Sequence, residues 1–281
     1  MLLDRPRIMA IVNVTPDSFY DGGRLSSVEE AVAAAALAVE SGADVLDVGG
    51  ESTRPGSAAV SAEEQIRRVA PVIEGIRRAG IACPVSVDTT RAEVARAALD
   101  AGAGIINDVS AGTDDPAMLG VAAERGAGLV LMHRLVRPEK DRYSDRYESP
   151  PGYGDVVAEV REYLSGRARA AIAAGVDPAA IVIDPGLGFG KTVEQNLELI
   201  RRTNELAGLG FPVLSALSRK SFVGRVSLGR DSTPDERLGG TVGLSVVHLL
   251  AGASVFRVHD VREAGEALRA AADVWGPAAD T

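Results

Sequence analysis

The 281-residue chain carries a single cysteine, Cys83, so no disulfide can form within it. A reducing cytosol is compatible with that, and Cys83 reads as a small core filler. Positive charge is also short: 30 Lys and Arg face 39 Asp and Glu, a formal net charge of -9. Phosphate backbones and anionic lipids select for basic faces, so a general nucleic-acid or membrane-surface binder is not expected. Any anionic substrate must then be held by local cations. Long apolar runs are missing as well. The opening MLLDRPRIMAIVNV is too short for a span and leads straight into a strand-like segment without a cleavage site, which favours a cytoplasmic protein. A zinc motif is absent too, since the spacing of Asp47, Glu51 and His133 matches none.

What the chain does have is alternation. Short Val- and Ile-rich runs recur, each followed by a Gly-, Ser- or Asp-rich turn and a longer segment of helical composition. Eight strand candidates follow: IMAIVNV from Ile8, VLDVGG from Val45, VSVDT from Val85, GIINDVS from Gly104, GLVLMH from Gly128, IVIDPG from Ile181, FPVLSAL from Phe211 and SVFRVH from Ser254. Most are nearly unbroken apolar runs, as parallel strands buried on both faces read. Helix starts are marked by capping-box pairs: Ser27 with Glu30, Ser61 with Glu64, Thr90 with Glu93 and Thr192 with Gln195. The α/β alternation predicts one (β/α)8 TIM barrel over residues 1–281, a single domain, with an open doubly wound sheet as the alternative. Two connections are long, Asn13 to Val28 and His133 to Tyr153, and each reads as a lid or a surface loop.

In such a barrel the loops after the strands build the site, and polar residues close almost every apolar run. They are Asn13, Asp47 with Glu51, Asp88, Asn107 with Asp108, His133, Asp184, Lys220 and the pair Arg257 and His259. Singly, each could be a cap or a turn former; together they describe a rim with carboxylates and cations. That rim suits a ligand with a donor-rich edge at one end and negative charge at the other. The run DPGLGFGKT invites a phosphate-loop reading through Lys191 and Thr192, but Pro185 stands where that pattern needs a glycine. Asp184 is better used as an ionised acceptor for an amidine- or guanidine-like edge, with Asp88 and Asn107 beside it. Lys220, Arg257 and His259 supply cations at the last two strands, while His248 inside an apolar helix reads as structural.

NVTPDSFYDGG from Asn13, GGESTRPG from Gly49, VSVDT, IINDVS, DPGLGFGKT, SRKSF and FRVHDV, in that order, resemble the signature segments of the dihydropteroate synthases. That resemblance covers nearly the whole chain. It implies condensation of 6-hydroxymethyl-7,8-dihydropterin pyrophosphate with p-aminobenzoate to 7,8-dihydropteroate and pyrophosphate, in folate synthesis. It places Asp88, Asn107, Asp184 and Lys220, with Arg257, at the pterin, and Asn13, Arg257 and His259 at the pyrophosphate. Asn13 is implied as the ligand of Mg2+. Thr53, Arg54, Pro55, Phe19, Phe189 and Ser221 are implied around p-aminobenzoate, with Lys220, Arg257, His259 and Asp184 carrying catalysis. A homodimer through the outer helices of the late units, including TVGLSVVHLLAGA, and sensitivity to sulfonamides are implied as well.

Two places depart from the family pattern. Ala216 stands where a glycine is usual, and residues 134–152 replace a shorter stretch, so no ligand role is carried onto them. A pterin-dependent methyltransferase serving a corrinoid protein, and a pterin-binding paralogue without catalysis, are the competing functions.

Overall fold

All eight runs form strands in the computed structural model, which describes residues 5–14 and 28–275. They are β1 (Arg7–Asn13), β2 (Val45–Gly49), β3 (Val85–Asp88), β4 (Ile105–Asp108), β5 (Gly128–Met132), β6 (Ile181–Asp184), β7 (Leu214–Ser215) and β8 (Val255–Val258). Every pairing is parallel, and the hydrogen-bonded order runs from β6 down to β1 and on through β8 to β7. A bridge between Ile183 and Val213, with Ile183 N–H donating to Pro212 O at 2.9 Å, joins the two ends into a barrel. The expected TIM barrel is therefore present. β7 is far shorter than FPVLSAL suggested, because Pro212 has no N–H to give to a ladder.

Helices follow the strands: α1 (Val28–Glu40), α2 (Ala62–Arg78), α3 (Ala92–Asp100), α4 (Met118–Arg125), α5 (Val156–Ala173), α6 (Val193–Arg201), the short α7 (Thr203–Ala207), α8 (Ser221–Leu228), α9 (Leu238–Leu250) and α10 (Val261–Trp275). The capping expectations divide. Thr192 and Gln195 form the full reciprocal box at α6. Ser61 caps α2 by accepting from Glu64 N–H, but the Glu64 carboxylate turns to Arg67 and Arg68 instead of back to the cap. Thr90 is not a cap. Arg91 precedes α3, and the Ala92 N–H is satisfied from across the loop by Asp115. Ser27 lies outside the described residues. Cys83 is half-buried beside the core, where burial raises its thiol pKa to about 11 and keeps it a neutral filler.

Strand periodicity splits the interior into two apolar layers. One set, including Ile8, Ala10, Leu46, Val87, Ile106, Leu131 and Ile183, packs outward against the helices. The other set, Met9, Val45, Val130, Leu214, Ala216 and Val255, with Ile105 and Val182, fills the barrel lumen. Two residues further along the same inward-facing positions come Asp47, Asn107, Met132, Asp184 and Arg257, so the apolar plug supports a polar floor at the carboxyl ends. Among the described residues no helix is long and apolar enough to cross a membrane.

Candidate active site

The polar floor is one hydrogen-bonded network. Arg257 Nε donates to Asp47 Oδ2 at 2.6 Å, and its Nη2 donates to Asp88 Oδ2 at 2.8 Å. Asn107 Nδ2 donates to the same Asp47 oxygen at 3.1 Å. Asp184 Oδ1 accepts from Gly186 N–H at 2.7 Å. Among the described residues, Asp88 Oδ1, Asn107 Oδ1 and Asp184 Oδ2 make no further hydrogen bond, so three acceptors from β3, β4 and β6 converge on one space. That is the arrangement a planar edge rich in N–H groups requires.

Electrostatics follow from burial. Desolvation raises the pKa of Asp88 to about 7, although Arg257 opposes the shift. Asp184 is raised for the same reason, against the pull of Lys220. Burial disfavours charge on Arg257 too, yet Asp47 and Asp88 outweigh it and keep the guanidinium protonated. Lys220 is lowered by burial to about 8, with Asp184 working the other way. Its ammonium donates to Leu187 O and lies 4.4 Å from the centre of the Phe189 ring, a cation-π contact. Phe189 packs with Val109 and Met132 as a small apolar wall beside Asp184.

The DPGLGFGKT turn is shaped by close approaches. A Cβ at Gly186 would stand 1.8 Å from His133 O, and one at Gly188 would stand 2.9 Å from Lys220 Cδ; both residues have positive φ. Lys191 points into this turn, donating to Gly186 O and Phe189 O at 3.0 and 2.9 Å, with His133 Nδ1 at 3.0 Å. Its ammonium braces the loop from within, so it is not a phosphate ligand. His133 is buried, and desolvation followed by the charge of Lys191 pushes its pKa down to about 2. It packs edge-on against Tyr163 with ring centroids 4.9 Å apart and takes no part in the rim.

Several rim candidates have structural duties instead. Asp108 is buried and holds the turn after β4 by accepting from Ser110 N–H, the Ser110 hydroxyl and Gly112 N–H. Glu51 accepts from Val60 N–H and Gln65 Nε2. Asp47 is fully buried beneath Arg257, a strut under the floor. Among the described residues no group of three His, Cys, Asp or Glu could hold a metal ion. His248 is buried with Nδ1 at 2.8 Å from Ser215 Oγ, the structural role its sequence context suggested.

The remaining candidates surround the mouth. Asn13 and Asp88 flank Gly49, with Asn13 Oδ1 3.7 Å from where a Cβ on that glycine would lie. His259 follows β8, and its Nδ1 is 3.0 Å from Ser218 Oγ. Arg54 is exposed and lies within electrostatic reach of His259, while Thr53, Pro55 and Ser221 are half-buried. Phe19 lies outside the described residues. Residues 134–152 are tied down rather than free. Gly56 N–H donates to Pro138 O at 2.9 Å, Gly190 N–H to Asp141 Oδ2 at 3.0 Å, and Asn196 Nδ2 to Ser144 Oγ at 3.0 Å. This segment therefore braces the STRPG and GLGFG loops. Met132, Val109 and Ser218 were not anticipated as site residues. The inward position of Met132 two after Val130 was a signal for the first; nothing local marks the other two.

The pterin binding enzyme family model matches residues 9–259. A curated relative, the dihydropteroate synthase of Mycobacterium leprae, is 46% identical over 96% of this chain and 93% of its own length. The Xanthomonas albilineans dihydropteroate synthase solved with 4-aminobenzoic acid is 46% identical, with a TM-score of 0.88 over 99% of this chain and 96% of that one. The same enzyme solved with 7,8-dihydropteroate is similar at 44% identity and a TM-score of 0.85, covering 99% and 96% of the two chains.

Proposed function

The chain belongs to the pterin binding enzyme family, and from that premise we infer that it is a transferase performing the dihydropteroate synthase reaction. It joins 6-hydroxymethyl-7,8-dihydropterin pyrophosphate to p-aminobenzoate, giving 7,8-dihydropteroate and pyrophosphate. The observation that carries this reading is the buried trio Asp88, Asn107 and Asp184, each with one acceptor oxygen not engaged by the described residues, set beside Lys220 and Arg257 at the carboxyl ends of the strands.

In this assignment the N–H edge of the pterin donates to Asp184, Asp88 and Asn107, and its ring lies by Phe189 and Met132. The bond from the pterin methylene to pyrophosphate oxygen breaks, and the electron pair leaves with the pyrophosphate. The amine of p-aminobenzoate forms the new C–N bond and loses a proton. No protein nucleophile is needed. Cations preorganised where charge appears on the leaving group supply the catalysis, which assigns that role to Arg257 and Lys220, with His259, its pKa pushed down to about 3 by burial and Arg257, as a neutral hydrogen-bonding partner. Thr53, Arg54, Pro55, Phe189 and Ser221 are assigned to the p-aminobenzoate side, together with Phe19 on the resemblance alone, where exclusion of water would protect the methylene cation.

Mg2+ fits this donor set as an ion carried on the substrate's phosphates. Asn13 offers one neutral oxygen beside Asp88, and Mg2+ keeps most of its waters when phosphates provide the rest. When bound it would neutralise charge on the departing pyrophosphate. The proposal extends to a cytoplasmic homodimer. Val226 and Leu228 of α8 and Val247 and Leu250 of α9 are 40–48% exposed on neighbouring outer helices, an apolar face suited to a second copy.

Purified protein is expected to release pyrophosphate from the pterin pyrophosphate only when p-aminobenzoate is present, with sulfonamides competing against p-aminobenzoate. Pterin binding without turnover would instead identify a non-catalytic paralogue, and methylation of a corrinoid from methyltetrahydrofolate would identify a methyltransferase.

A further inference from the structure

Between Ser218 and Lys220 stands Arg219, a non-glycine residue with φ 59°. The left-handed region is unfavourable for a side chain and persists only where the surroundings over-determine it. Here they do. Arg219 N–H donates to Thr241 Oγ1 at 3.0 Å, and its carbonyl accepts from Arg237 Nη1 at 2.8 Å. Its side chain forks onto Asp260, Nε to Oδ2 at 3.0 Å and Nη2 to Oδ1 at 2.5 Å, while Nη1 donates to Asp235 at 2.8 Å.

All three guanidinium nitrogens are therefore committed to two carboxylates, which leaves Arg219 poorly placed to bind an anion itself. What the turn does is divide its neighbours. Ser218 faces His259 on one side, and Lys220 reaches across to Leu187 O and Phe189 on the other. Asp260 directly follows His259 and immediately precedes α10, so the fork fastens the loop after β7 to the loop after β8.

We propose that Arg219 is a positioning residue. Its fork to Asp260 holds the turn after β7 in the left-handed conformation that sets Ser218 on His259 and Lys220 on Leu187 O and Phe189, and so sets affinity for the pyrophosphate of the substrate. This rests on the functional reading above. A bidentate fork constrains direction as well as distance, which a lysine at the same place does not.

Two variants separate positioning from charge and from folding. Arg219→Gly removes the backbone cost and the fork together, so the melting temperature should stay near that of the parent while affinity falls. A misplacement of about 1 Å can cost about 100-fold, and a loss of at least about tenfold is expected for calorimetric binding of the pterin pyrophosphate and of inorganic pyrophosphate. Asp260→Asn is sharper. Removing a negative charge near an anion site would tighten binding by simple electrostatics, whereas losing the fork loosens it. Weaker pyrophosphate binding by Asp260→Asn and by the charge-preserving Arg219→Lys, with p-aminobenzoate KM changed less than pterin pyrophosphate KM, supports the proposal. Unchanged or tighter binding in either variant overturns it. A parent protein that binds neither pyrophosphate compound removes the functional reading itself, a separate result seen before any variant is made.

Discussion

At the floor of the site Asp88, Asn107, Asp184 and Arg257 stand on strands, and three of the four are nearly inaccessible to water. At the mouth Thr53, Arg54, Pro55, Ser221 and His259 stand after the strands, on loops or at a helix start, exposed or half-buried. The floor groups bond chiefly to one another: Arg257 to Asp47 and Asp88, and Asn107 to Asp47. The mouth groups are positioned through intermediaries such as Ser218, Pro138 and the Arg219–Asp260 fork. A single edge can be recognised by a rigid, dehydrated network, where each misplaced donor is costly. A second substrate that must enter and leave is better served by groups that water still reaches.

That contrast can be broken first at the floor. Asp184→Asn puts an amide N–H where an acceptor faces the ligand's own donors. Pterin affinity should fall about 100-fold, about 3 kcal/mol, measured by calorimetry. Unchanged affinity would mean that the floor is not the pterin pocket.

The pH profile of kcat/KM for the pterin pyrophosphate tests the floor electrostatically. Asp88 titrates above its ordinary range, so its carboxylate is lost as pH falls through about 7. Lys220 titrates below its ordinary range, so its ammonium is lost as pH rises through about 8. A narrow bell with limbs near those values is expected, each limb falling about tenfold per pH unit. Asp88→Asn should erase the acid limb. An anionic substrate favours the ammonium, so the basic limb of kcat should lie higher than that of kcat/KM. A flat profile across this window would show that neither group titrates in the free enzyme.

The smallest effect belongs to the mouth. Arg54 is exposed, and an exposed ion pair with a carboxylate is weak, so Arg54→Ala should raise p-aminobenzoate KM by about fivefold. Pterin affinity should not move. An equal loss in both substrates would collapse the distinction between floor and mouth.

Periodicity and motif order in the sequence were enough for the strand count, the barrel, and the inward placing of Asp88, Asn107 and Asp184 at the strand ends with Arg257 among them. Each of those depends on local rules: a buried parallel strand reads as an apolar run, and its last inward residue faces the lumen. The duties of the other rim residues were not legible. Asp47, Glu51 and Asp108 look like site carboxylates in one dimension, and only the fold reveals that the first lies under Arg257, the second ties down Val60 and Gln65, and the third closes a turn. Pro185 already argues against Lys191 as a phosphate ligand, but that its ammonium braces the turn from within is seen only in the fold. Arg219 carries no local signal, because its partner Asp260 stands 41 residues away in the chain. Alternation along a strand states which residues share a face. Which carboxylate meets which cation is decided when distant strands close the barrel and the inside is separated from water.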